Sequence, residues 1–261
     1  MRATLVQLDS HFGQPRHNLE RALQLMRAAA PADLVVLPEL FPSGYTFADS
    51  SEVRELAEPA DSGPTFEALA AHARAHQTWI AYGFAERAAD GFYNSASVLG
   101  PDGLVGTYRK IHLFSRENLF FSPGQTAAPV YDLPIGKLGL MICFDWFFPE
   151  VARSLALRGA QVIVHPSNLV LPHCPQAMLT RSLENRVYSL TCDRIGSEHR
   201  GGADHDFIGS SQAVGVKGEL LVRLSSDREE TATVELDLPQ ADNKRLNSHN
   251  DLFTARRPEL Y

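Results

Sequence analysis

A mixed α/β fold follows from two features of this 261-residue sequence. Short, fully apolar runs alternate with segments whose apolar residues recur at helical spacing, as in a sheet covered by helices. Between them lie hairpin signals, Pro101-Asp102-Gly103 above all. Together they predict a large mixed sheet, or two sheets, with helices outside and residues 1–261 forming one domain. No composition break, internal repeat or low-complexity tract argues otherwise.

In chain order, 4–8 reads as a strand. Residues 17–30 place Leu19, Ala22, Leu23, Leu25 and Met26 on a helical period. Residues 34–37 form a short apolar strand, 65–76 a helix and 79–84 a strand. The turn at 101–103 joins strands 93–100 and 104–108. Residues 137–143 read as a strand, and 149–158 as a helix ended by Gly159. A strand at 162–164 and a helix at 176–188 follow. Residues 190–238 read as mostly strand, with a hairpin over Lys217-Gly218.

Composition narrows the function. Hydrophobic residues are 44% and charged residues 21%, which excludes disordered, collagen-like and coiled-coil chains. The net charge of −7 lacks the basic footprint of a nucleic-acid binder. Apolar runs fall far short of the ~20 residues a membrane helix needs. The first residues read as a strand rather than a signal segment, and three cysteines fit a reducing compartment. The expectation is a cytoplasmic protein.

Three apolar runs end directly on reactive or polar residues. Leu34–Pro38 leads to Glu39, Leu138–Ile142 to Cys143, and Val162–Pro166 to Ser167 and Asn168. Ligands of open α/β sheets bind beyond strand carboxyl ends, so these three ends plausibly share one pocket. A free cysteine is ordinarily a small buried hydrophobe, the reading kept for Cys174 and Cys192. Cys143 instead sits between a strand and a helix start, where backbone N–H groups favour a thiolate, and precedes Phe144-Asp145-Trp146. Glu39, framed by prolines, is either a solvated loop residue or a partly buried base. Lys110 and Glu117, read alone, are surface charges. As a set, a thiol, a base and a cation suit attack on an amide or nitrile carbon.

These segments resemble the nitrilase superfamily of carbon–nitrogen hydrolases. The matching stretches are LVVLPELFPSGY, YRKIHLF, RENLFFSPG, LGLMICFDWFFPE, GAQVIVHPSNLV, RSLENRVY and the tail NDLFTARRPELY. The resemblance implies a four-layer α-β-β-α sandwich. It implies Glu39 as general base and acid, Cys143 as nucleophile, and Lys110 with the Phe144 backbone N–H as oxyanion site. Glu117 would support Lys110. It implies no metal or organic cofactor, and a homodimer or higher even homo-oligomer built on helix 149–158 and exchanged tails. Cys143-Phe144-Asp145 is similar to amidase-type branches, whereas nitrilases more often carry Trp-Glu there. Phe148-Pro149-Glu150 also occurs in N-carbamyl amine hydrolases.

The expected substrate is therefore a small linear amide, an ω-amide of a dicarboxylate among the candidates. An aliphatic nitrile or an N-carbamyl amine is the alternative. Tyr45 is expected at the pocket mouth, and Trp146 and Asn168 on its wall. The stretch 197–206 holds metal-ligand residue types but reads as a mobile, solvated loop. His112 and His165 read as structural. A non-catalytic scaffold would lack one of the reactive residues, and transfer to an acceptor other than water is the third class considered.

Overall fold

The computed structural model describes residues 1–260. Tyr261, which ends both the expected domain and the tail segment, lies outside the described residues. The first half runs β1 (Arg2–Gln7), α1 (Pro15–Ala28), β2 (Leu34–Val36), α2 (Ser50–Leu56), α3 (Pro64–His76), β3 (Trp79–Ala88), β4 (Gly91–Gly100) and β5 (Gly103–Arg109). Next come β6 (Val130–Leu133), β7 (Gly136–Leu140), α4 (Pro149–Leu157), β8 (Val162–Pro166), α5 (Cys174–Asn185) and β9 (Tyr188–Cys192). The remainder is β10 (Ser197–Arg200), β11 (Ala203–Asp206), β12 (Gln212–Val214), β13 (Leu220–Arg223), β14 (Glu230–Glu235) and α6 (Pro239–Asp242).

There are two six-stranded sheets, in the orders β14-β1-β2-β3-β4-β5 and β13-β12-β9-β8-β7-β6. β1, β2 and β3 pair in parallel in the first, and β7, β8 and β9 in the second. Antiparallel strands flank both parallel cores.

Side-chain alternation builds the layers. Ala3, Leu5, Leu34, Val36 and Ala81 join Leu138, Leu140, Val162, Val164 and Leu190 in one buried cluster between the sheets. Their neighbours Val6, Val35, Ile80 and Tyr82 pack the other way, against Leu19, Ala22 and Met26 of α1 and Leu69 and Ala73 of α3. α4 and α5 cover the second sheet. The result is the four-layer α-β-β-α sandwich. Each fully buried aliphatic side chain contributes about 1.5–3 kcal/mol, so this double core dominates stability.

Sequence and structure part at several boundaries. The helix expected over 176–188 stops at Asn185, because Arg186 turns left-handed at φ 48°, and Tyr188 opens β9. The strand expected over 137–143 ends at Leu140, and Cys143 begins a 3-10 helix, Cys143–Phe147. α2 and β6 were not anticipated. α2 starts where the Asp49 carboxylate accepts hydrogen bonds from the N–H groups of Ser51 and Glu52.

The largest correction concerns 197–206. It is a paired hairpin, β10 against β11, rather than a mobile loop. The buried Glu198 carboxylate accepts from the backbone N–H groups of Tyr45 and Thr46 and from the Arg194 guanidinium. Gly201, at φ 60°, lies so near Ala48 that a Cβ would meet its Cα at 2.9 Å. The hairpin is thereby clamped onto the loop after Glu39.

Candidate active site

Both sheets deliver residues to one place. Glu39 follows β2, across Leu37 and Pro38. Gly83 on β3 makes room for it, since a Cβ there would meet the Glu39 Cα at 2.5 Å. Lys110 is the first residue past β5, and Glu117 lies in the 3-10 helix Ser115–Leu119. From the second sheet come Cys143, just past β7, and Asn168, just past β8. Cys143 has φ 37°, a conformation costly for a residue with a Cβ and one that clusters at reactive positions.

The centre is a buried ion cluster. Lys110 Nζ donates to Glu39 Oε1 at 2.7 Å and to Glu117 Oε1 at 2.8 Å. Asn94 on β4 bridges the same two carboxylates, its Nδ2 lying 2.7 Å from Glu39 Oε1 and 3.3 Å from Glu117 Oε2. Glu39 and Lys110 are fully buried. Glu39 Oε2 is buried and has no hydrogen-bond partner among the described residues.

Burial and charge tune these groups in a definite direction. Burial lifts the Glu39 carboxyl; Lys110 opposes the rise, Glu117 adds to it, and the result is about 7. Burial works against the Lys110 ammonium, yet Glu117 and Glu39 hold it above the ordinary lysine value. The Cys143 thiol is pushed well up, first by burial and then by Glu39. The thiolate expected from the helix start is therefore overruled: desolvation outweighs the nearby N–H groups. At rest Cys143 is a thiol, and the Glu39 carboxyl that raises it stands at about 7.

Cys143 Sγ faces the Asn168 carbonyl at 3.7 Å. A small, partly open pocket is lined by Cys143, Phe114, Phe144, Trp146, Phe147 and Asn168, among others. Trp146 and Asn168 are both among the lining residues. Both polar atoms of the Asn168 side chain are buried without partners among the described residues. Tyr45 does not stand at the mouth. It is buried, and its hydroxyl donates to Glu117 Oε1 at 2.7 Å, which orients the carboxylate that grips Lys110.

Both histidines are held by neighbouring groups. A carbonyl can only accept, so His165 Nε2–H donates to the Cys143 carbonyl at 2.9 Å. Burial depresses the His165 pKa to about 4, which keeps the ring neutral. His112 stacks on Phe148 with ring centroids 3.6 Å apart and meets Asp145 at 2.8 Å. Asp145 in turn accepts from Tyr108 and from the Ile142 N–H, pinning the turn that carries Cys143. Asn94, Asp145 and Glu198 were missed as site residues. Asn94 left no distinct trace, because Ser95 and Ser97 are polar neighbours on the same strand. Cys174 and Cys192 are buried free thiols apart from this pocket. Among the described residues no group of three or more His, Cys, Asp or Glu side chains is placed to hold a metal ion. Nor is any helix there long and apolar enough to cross a membrane.

A two-sheet sandwich that gathers a thiol, a lysine and two carboxylates at its strand ends defines a class of hydrolases. The family model described as Carbon-nitrogen hydrolase matches residues 2–245, and the chain belongs to that family, an enzyme of the nitrilase superfamily. It is 48% identical to a protein of Pyrococcus abyssi named nitrilase, over 100% of this chain and 99% of that one. An (R)-stereoselective amidase of a Pseudomonas species is 34% identical over 92% of this chain and 86% of its own. A crystal structure of a carbon–nitrogen hydrolase from Helicobacter pylori superposes with TM-score 0.83 at 28% identity, covering 93% of this chain and 90% of that chain.

Proposed function

We propose that this enzyme hydrolyses a small linear amide to a carboxylic acid and ammonia through a thioester on Cys143. The observation that carries the reading is the Glu39–Lys110–Glu117 cluster buried beside Cys143, with Glu39 lifted to about 7 and one of its oxygens unpartnered. A carboxylate with that pKa can both accept and return a proton near neutral pH.

The cycle follows from the groups present. Glu39 takes the thiol proton as the Cys143 sulfur attacks the amide carbon. The tetrahedral oxyanion is held by Lys110, which keeps its charge, and by the Phe144 N–H. Collapse expels the amine, which leaves as ammonia with the proton returned by Glu39, and a thioester remains. Glu39 then draws a proton from water, whose oxygen attacks the thioester. The acid departs and the thiol is restored. Glu117, held by Tyr45 and Asn94, fixes Lys110 throughout. Asn168 and Trp146 contact the substrate in the pocket.

A nitrile is the second reading, favoured by the 48% identity to the Pyrococcus protein named nitrilase. The sequence Cys143-Phe144-Asp145 favours the amide. The enzyme works as a single cytoplasmic domain and an even homo-oligomer. Leu157 on α4 and Leu183 on α5, 40% and 48% exposed, support a covering partner copy.

Ammonia release decides the reaction. Wild type and Cys143→Ala meet short aliphatic amides, ω-amides of dicarboxylates, dinitriles and N-carbamyl amines. Cys143-dependent release from amides above nitriles is expected. Release only from nitriles or carbamyl amines replaces the amide reading, and release that persists in Cys143→Ala removes the thioester.

A further inference from the structure

β9 runs parallel to β8 and, like it, gives way to a polar residue at its carboxyl end. That residue is Asp193, which is fully buried and takes no part in the cycle above. The two strands pair up to Pro166 opposite Cys192, and the Ser167 N–H adds a rung to the Cys192 carbonyl at 2.8 Å. There the backbone ladder stops, because the Arg194 carbonyl turns to the Gly209 N–H. The Asp193 side chain supplies one rung more: its Oδ1 accepts from the Leu169 N–H at 2.8 Å.

That rung reaches the nucleophile through a single peptide group. The Leu169 N–H and the Asn168 carbonyl belong to the same peptide, which is trans, so they point in opposite directions from one rigid plane. Asp193 grips one end, and the other faces Cys143 Sγ at 3.7 Å. Fixing the N–H therefore fixes where the carbonyl points. The Asn168 side chain gives no help, since neither of its polar atoms has a partner among the described residues. The grip itself is anchored. The Asp193 N–H donates to Ser211 Oγ at 2.9 Å, and that hydroxyl lies 2.9 Å from Oε1 of the buried Gln7 on β1, in the other sheet. Burial pushes the Asp193 carboxyl well above the ordinary carboxylate range, and Glu39 adds to the rise. As an uncharged acid it accepts from Leu169 without bringing another negative charge toward Glu39.

We propose that Asp193 is a positioning residue for Cys143: through the 168–169 peptide it keeps the Asn168 carbonyl against the sulfur and so sets the line along which the sulfur meets the substrate carbon. This rests on the reading of Cys143 as the nucleophile.

The test separates the acceptor from mere packing. Asp193→Leu nearly keeps the volume and removes the acceptor. With butyramide, or butyronitrile if that is the one cleaved, its kcat is expected to fall about 10- to 100-fold while KM stays within about threefold, the pattern of a misdirected reacting atom. Asp193→Asn keeps an oxygen for the Leu169 N–H and is expected to hold kcat within about threefold of wild type. A loss in Asp193→Asn as large as in Asp193→Leu overturns the proposal, as does an Asp193→Leu enzyme that keeps kcat or loses only through KM. Should Asp193→Leu fail to fold, Asp193→Asn decides: kcat retained supports the proposal and kcat lost overturns it. Crystal structures read the placement without turnover. In Asp193→Leu the Asn168 carbonyl is expected to have turned from the Cys143 sulfur, and a carbonyl that stays in place overturns the proposal whatever the kinetics. Should wild type release ammonia from neither compound, the reading of the reaction falls, while the crystal structures still decide whether Asp193 holds the peptide.

Discussion

Two buried ion clusters lie on either side of Tyr45, and they are built to opposite standards. In one, Arg194 spends every nitrogen. Nη1 meets Glu198, Nη2 meets Asp9 and the Ser10 carbonyl, and Nε meets the Ile195 carbonyl. Glu198 completes itself on the N–H groups of Tyr45 and Thr46. In the other, Lys110 is shared between Glu39 and Glu117, while Glu39 Oε2 and Asn94 Oδ1 go without partners among the described residues. Burial alone does not separate a structural cluster from a reactive one. What separates them is which hydrogen bonds are left unmade, since those atoms are open to a proton or a substrate.

The hardest blow to this comparison is removal of the reactive atoms. Cys143→Ala is expected to lower kcat by on the order of 10^6-fold, as when one member of a cooperating nucleophilic set is lost. Glu39→Gln is expected to lose roughly 10²–10⁴-fold, the scale of general acid–base catalysis. Its Tm is expected to hold or rise, because a poorly satisfied buried charge disappears. Full activity in Glu39→Gln would sink the mechanism.

Glu198→Ala should do the reverse. It strands the Arg194 charge, and breaking a buried pair costs about 3–5 kcal/mol. A clear fall in Tm is expected by calorimetry, with a smaller change in kcat per folded molecule. A large kcat loss at unchanged Tm would erase the distinction between the clusters.

The next effect is in pH. In the proposed cycle Glu39 must be ionised to accept the thiol proton, and burial lifts its carboxyl to about 7. Below that point kcat/KM is expected to fall by about tenfold per pH unit. For stability the sign runs the other way. Between its ordinary value of 4.5 and about 7 the folded protein holds a proton that the unfolded chain releases, so Glu39 lowers stability as pH rises through that window. Wild type and Glu39→Gln, unfolded in urea across the range, should differ by that slope; parallel curves would contradict it.

The smallest effect sharpens the cause. The Asn94 hydrogen bond lowers the Glu39 pKa. Asn94→Ala is therefore expected to move the acid limb of kcat/KM to higher pH. A limb that moves down would show that Asn94 acts mainly through Glu117.

Much of this site was legible in the sequence, for a local reason. Glu39, Cys143 and Asn168 each end an apolar run, and a chain that leaves a parallel strand must leave it at the same edge of the sheet. Lys110 and Glu117 became legible only through resemblance, since a charged strand end looks alike whether buried or exposed. Glu198 was misread because its partners Tyr45 and Thr46 are 153 and 152 residues away. Its neighbours, two glycines and several charges, read locally as a loop. The Tyr45 error has the same origin: neighbouring residues do not reveal which wall an aromatic ring faces. The Cys143 thiol was expected to be acidic because the helix start is visible in sequence, while the desolvation that opposes it is a property of the closed fold.

The pairing of β1 with β14 sets when this enzyme can come into being. Arg2 lies opposite Glu235, and Gln7 opposite Glu230, with the Gln7 amide also bonded to the carbonyls of Ser225 and Arg228. β1 is thus sealed by β14, which is made after every other strand described above. At roughly 5–20 residues per second, a ribosome needs on the order of tens of seconds to supply that partner. Until then one flank of β1 is an open edge, a template for stray pairing. Nascent chains of this protein should lean on holding chaperones for most of their synthesis, and truncations that remove β14 should aggregate rather than yield a weakened catalyst.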